Sequence, residues 1–88
     1  MEKFRTLFID LVHEKLKEKI VGRVWVTIDP DDELIIEIKN YDDFTFKASV
    51  GNLSTMVCYG VSSDAIVDKV VGKYKAGLFK WIEHLYFR

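Results

Sequence analysis

The last third of the chain, Cys58 to Arg88, CYGVSSDAIVDKVVGKYKAGLFKWIEHLYFR, reads as one long amphipathic helix preceded by its own start signal. Ser62 and Ser63 stand before the apolar run, and a serine hydroxyl there accepts a hydrogen bond from a first-turn N–H that has no helical partner. Asp64 and Asp68 fall in the early turns, where the positive end of the helix dipole favours carboxylates. Lys80 and Arg88 fall late, where it favours cations. At about 3.6 residues per turn, Ile66, Val67, Val70, Val71, Tyr74, Leu78, Trp81, Ile82 and Leu85 share one face, and Lys69, Lys73, Ala76, Lys80 and Glu83 lie opposite. Gly72 and Gly77 interrupt the pattern at about 1 kcal/mol each. Gly77 reads as a bend or as the close approach of another segment. Phe79, Tyr86 and Phe87 point off the apolar face and are candidates for a partner surface.

Upstream, Glu2 to Ile20 carries a second helical stripe, in which Phe4, Leu7, Phe8, Leu11, Val12, Leu16 and Ile20 recur at helical spacing. Gly22 is its stop. Arg23–Asp29 then alternates, with Val24, Val26 and Ile28 on one face and Arg23, Trp25 and Thr27 on the other. Asp29-Pro30-Asp31-Asp32 is a turn, because proline presets the second position and Asp suits the first. Glu33–Asn40 is the return strand, Asn40-Tyr41-Asp42-Asp43 the next turn, and Phe44–Val50 a third strand. Connections this short favour an antiparallel meander. Within Gly51–Gly60, Met56, Val57, Cys58 and Tyr59 are expected to form a short fourth strand or a buried crossing loop.

These elements predict a single α+β domain over residues 1–88, ordered helix, three strands, helix. Each strand has one apolar face, so both helices are expected to pack on the same side of the sheet. At 88 residues there is room for one core. The chain is 49% hydrophobic, too apolar for a disordered segment. A formal charge of −1 gives no global field toward nucleic acid or anionic lipid. The lone cysteine rules out an internal disulfide and suits a reducing compartment. No apolar run reaches the length of a membrane span, and the charged EKFR start lacks a signal-peptide core. A cytoplasmic protein is expected.

No constellation calls for catalysis, a metal or a cofactor. His13 and His84 border their helices' apolar faces without a ligand-spaced carboxylate or cysteine. Cys58, in TMVCYGV, reads as a buried inert thiol. The acidic turn lacks the alternate ligands, central glycine and final Glu of a calcium loop. What remains is recognition. Asp29, Asp31, Asp32 and Glu33 at one turn, with Asp42 and Asp43 at the other, could meet a basic protein surface. The two turns cap opposite ends of the middle strand, about 20 Å apart. Trp25 and Ile35 on the outer sheet face are the apolar candidates, either as interface anchors or covered by Gly51–Gly60. The helix–three strands–helix order is also that of double-stranded RNA-binding domains. Those carry lysines at the start of the second helix, where this chain has SSDAIVDK.

The segment YGVSSDAIVDKVVGKYKAGLFKWI resembles the tail of small phage and prophage proteins of Gram-positive bacteria, in which a strand meander precedes a Ser/Asp-capped helix. One member is an anti-CRISPR inhibitor of the type II RNA-guided nuclease. ELIIEIKNYDDFTFKAS is similar to its middle strands, and AIVDKVVGKYKAG to the start of its second helix, so about two thirds of the chain takes part. The resemblance implies a phage-encoded inhibitor without catalysis, acting in the cytoplasm of an infected bacterial host. Its partner would be a CRISPR effector nuclease or another host defence protein. That inhibitor is strongly acidic and works as a DNA mimic in the channel that reads the short duplex motif beside a target. This chain is nearly neutral. Its acidic residues are candidates by chemistry and are not matched singly to the family's contacts. Direct nucleic-acid binding through Lys69, Lys73, Lys80 and Arg88 is the alternative, as is another phage protein-interaction domain. Exposed aromatics on the long helix would suit a homodimer.

Overall fold

The computed structural model describes residues 2–86, and the expectations placed on Phe87 and Arg88 lie outside them. The element order is α1 (Glu2–Lys19), β1 (Arg23–Ile28), β2 (Glu33–Lys39), β3 (Thr45–Asn52), α2 (Leu53–Cys58) and α3 (Ser63–Tyr86). The strands form one antiparallel sheet in the order β1-β2-β3. Register follows the period-two pattern: Val24 faces Ile38, Val26 faces Ile36, and Ile38 faces Phe46 on the third strand. A one-residue slip would turn every one of these side chains to the wrong face.

Both turns of the meander are three-residue loops of one kind. Asp29 Oδ1 accepts from the N–H groups of Asp31 and Glu33 at 2.9 and 3.0 Å, and Asp32 closes the loop with φ +64°. Asn40 Oδ1 accepts from Asp42 and Phe44 at 3.0 and 2.9 Å, and Asp43 closes that loop with φ +67°. A type I turn followed by a left-handed residue matches the twist of the strands it joins. Aspartate tolerates the left-handed position better than most residues.

All the helices gather on one side of the sheet. Val12 and Leu16 of α1, Ile20 just beyond it, and Ile66, Val67, Val70 and Tyr74 of α3 are buried against Val24, Leu34, Ile36 and Ile38. This is the expected α+β arrangement, with a third, short helix added. Lys15 pairs with Asp64 at 2.8 Å and Lys19 with Asp68 at 3.2 Å. Equal four-residue steps on both helices mean that α1 and α3 run in the same direction.

Four local expectations change. First, Gly51–Gly60 is neither a fourth strand nor a loop. β3 continues to Asn52, whose side chain caps α2 by accepting from Thr55 N at 2.9 Å. The helix closes on Gly60, φ +69°, with Gly60 N donating to Val57 O and Val61 N to Met56 O. That pair of bonds is the glycine-terminated helix end. Second, Cys58 is exposed. Leu53 and Met56, three residues apart, take the inward side of this short helix and turn Cys58 outward. Third, α1 is rolled away from its expected stripe. Phe4, Leu7 and Leu11 are exposed, while Phe8, Ile9, Val12, Leu16 and Ile20 face the core. The buried row, from Phe8 to Ile20, runs for about three turns beside β1 and α3, whereas Phe4–Leu7–Leu11 covers only about two.

Fourth, α3 begins where its cap predicts, at Ser63 with Ser62 Oγ accepting from Ala65 N at 3.1 Å, but its apolar face outlasts the core. Ile82 and Leu85, expected inside, are exposed because Phe44 and Phe46 are the last sheet side chains packed beneath the helix. Phe44 stacks between Tyr74 and Trp81, with ring centres 5.8 and 5.5 Å away. At Gly77 an added Cβ would lie 3.4 Å from the Phe44 ring, so side chains, rather than another backbone, make the close approach. Past its contact with Lys19, α3 runs on for about 27 Å. The molecule is accordingly elongated, 49 × 22 × 21 Å.

Candidate functional site

Because every helix lies on one side, the other side of the sheet is left open. α2 packs beside β3 and the start of α1 and does not cover it. Trp25 projects from β1 onto this open face and is 42% exposed. Glu37 stands directly across from it, and Lys47 stands across from Glu37 on β3. Thr27 faces Ile35, which makes Ile35 the diagonal neighbour of Trp25, about 7–8 Å away. Ile35 is half-buried in that row. Arg23 and Lys39 form the next row and are both exposed. The sheet thus brings the two apolar candidates together inside a rim of both charge signs. An apolar centre with a polar rim is the usual anatomy of a protein interface.

The acidic candidates divide. Asp32 is committed to the fold. Arg5 of α1 donates to its carboxylate, and Ser54 at the start of α2 donates both its backbone N–H, at 3.1 Å, and its hydroxyl, at 2.5 Å. Asp32 O also accepts from Leu53 N at 2.8 Å. The Ser54 hydroxyl, helped by Arg5, holds the Asp32 carboxyl below the ordinary carboxylate range. Asp29 is spent on its turn, and Glu33 accepts from Ser49 Oγ at 3.0 Å. The carboxylates of Asp31, Asp42 and Asp43 make no ion pair among the described residues. Asp31 lies at one end of β2. Asp42 and Asp43 lie at the other, beside Tyr41 and the free end of α3.

The basic side chains divide in the same way. Lys15 holds Asp64 below the ordinary carboxylate range, and Lys19 adds to that pull. These pairs neutralise the start of α3 against the end of α1, where an RNA-binding domain of this topology needs free cations. Lys69, Lys73 and Lys80 are exposed on the outer side of α3. His13 Nε2 lies 2.9 Å from Val24 O. A carbonyl can only accept, so that nitrogen carries the proton and the ring is a helix-to-strand tie. No three His, Cys, Asp or Glu side chains converge among the described residues. No described helix is long and apolar enough to cross a membrane.

Sequence reasoning missed the Arg5–Asp32–Ser54 clasp, whose partners are 27 and 22 residues apart along the chain. It also passed over Tyr41, 76% exposed. The signal for Tyr41 was present, since a residue between Asn40 and Asp42 in a three-residue loop has no core to enter. Comparison with protein-family models, curated proteins and solved structures gives no match to this chain.

Proposed function

We propose that the protein acts by binding another protein through the open sheet face, and that it catalyses nothing. The observation that carries this reading is Trp25. A large aromatic half out of an uncovered sheet, beside Ile35 and ringed by Arg23, Glu37, Lys39 and Lys47, has the composition of an interface anchor. The resemblance of the strands and of the α3 start to phage inhibitors supplies the partner class. On that reading the protein is a phage-encoded anti-CRISPR factor, and its target is a CRISPR effector nuclease in the cytoplasm of an infected bacterium. DNA mimicry by this chain would rest on Asp31, Asp42 and Asp43, because Asp29, Asp32 and Glu33 are occupied within the fold.

The test is a panel of guide-loaded effector nucleases of several types, mixed with the purified protein and assayed for co-elution and target cleavage. One effector is expected to co-elute and lose cleavage. Trp25→Ala is expected to weaken that complex by about thirtyfold, the effect of an anchor worth about 2 kcal/mol. Absence of co-elution with full cleavage across the panel would remove the effector reading. A retained complex in the Trp25 variant would move the site elsewhere.

A further inference from the structure

We infer that the free end of α3 is a seam for a second copy of this chain, paired antiparallel. This goes beyond the proposed partner site and uses a different surface. Lys75, Leu78, Ile82 and Leu85 follow one another at three-, four- and three-residue steps, the spacing of a coiled-coil seam, and Leu78, which packs on its inner side against the core, joins that seam to the folded domain. Phe79 and Tyr86 flank that seam at equivalent positions seven residues apart. They are 63% and 75% exposed, and Ile82 and Leu85 within the seam are 36% and 45% exposed.

Two area arguments fit a second copy. A compact monomer of 10.3 kDa exposes about 5,400 Å², yet this chain exposes 6082 Å². At roughly 200 Å² per aromatic side chain, the exposed parts of Tyr41, Phe79 and Tyr86 supply about 400 Å². Val21, Ile82 and Leu85 bring one copy's share toward the roughly 600 Å² per side at which specific interfaces begin. The surplus surface and the area a dimer needs are therefore of one size.

The charges agree. A net charge of −1 leaves little repulsion between copies. Lys75 is the one cation within the seam. Antiparallel pairing sets it against the last turn of the partner helix, where the dipole is negative. In the same geometry Phe79 of one copy meets Phe79 of the other, ring against ring.

Sedimentation velocity and light scattering from low micromolar to near-millimolar concentration test this. The mass is expected to rise from 10.3 kDa toward twice that value. Ile82→Lys and Leu85→Glu replace exposed side chains outside the core, so circular dichroism should be unchanged while association weakens more than tenfold. Lys75→Glu should weaken it several-fold. A mass fixed at 10.3 kDa across that range overturns the proposal. Unchanged association in Ile82→Lys and Leu85→Glu overturns the location, and unchanged association in Lys75→Glu overturns the antiparallel arrangement.

Discussion

At one end of β2, Asp32 sits in the left-handed conformation and gives its carboxylate to Arg5 and Ser54. At the other end, Asp43 sits in the same conformation, and its carboxylate makes no ion pair among the described residues. The loops share their length, their Asx hydrogen bonds and their closing residue. They differ in their surroundings, because α1 and α2 meet over the first loop and bond to it, whereas the end of α1 and the far half of α3 only flank the second. An acidic turn in a sequence is therefore ambiguous between a clasp and a free surface. What resolves it is whether a helix end with unpaired N–H groups and a cation stands within reach.

The largest expected effect breaks the occupied end. Leu53 is wholly buried, and Leu53→Ala should cost about 2–5 kcal/mol in urea unfolding. Tyr41→Ala at the opposite end should stay within about 0.5 kcal/mol. Equal losses at the two ends would erase the contrast.

Replacing the closing residues comes next. Asp32→Asn should lower the melting temperature at neutral pH, while Asp43→Asn should leave it unchanged. The pH dependence has a definite sign. Asp32 and Asp64 are held below their ordinary pKa in the folded chain. Their contribution is complete above the unfolded value of about 3.9 and is lost as pH falls through the folded values. Acid unfolding below about pH 4 should therefore be shallower in Asp32→Asn than in wild type. The smallest effect belongs to α3 where it leaves α1. Gly72 has open space around its Cβ position, so Gly72→Ala should raise stability by about 1 kcal/mol.

Period and punctuation made most of the fold legible. The alternation Val24–Val26–Ile28 and Leu34–Ile36–Ile38 marks the inner sheet face, and Ser62 caps the helix it was expected to start. The failures share one cause. Periodicity tells which residues can share a face, but length of contact decides which face is used. Phe4–Leu7–Leu11 lost to a longer row, and Ile82–Leu85 outran the sheet. α2 had its own markers in the Asn52 cap and the Gly60 stop, but its apolar Met56–Tyr59 run resembles a strand. Of the site, Trp25 and Ile35 were legible because strand alternation puts them on the outer face. The use of Asp32 within the fold was not, since its partners come from distant parts of the chain.

On the proposed reading the uncovered sheet face, rather than the acidic turns, meets the partner. Hydrogen exchange of the free protein and of its complex with the co-eluting effector tests it most directly. Residues 23–28 and 33–39 should gain protection while the Asp29–Asp32 turn keeps its free-state exchange. Protection confined to the turns, with the strands unchanged, would contradict it.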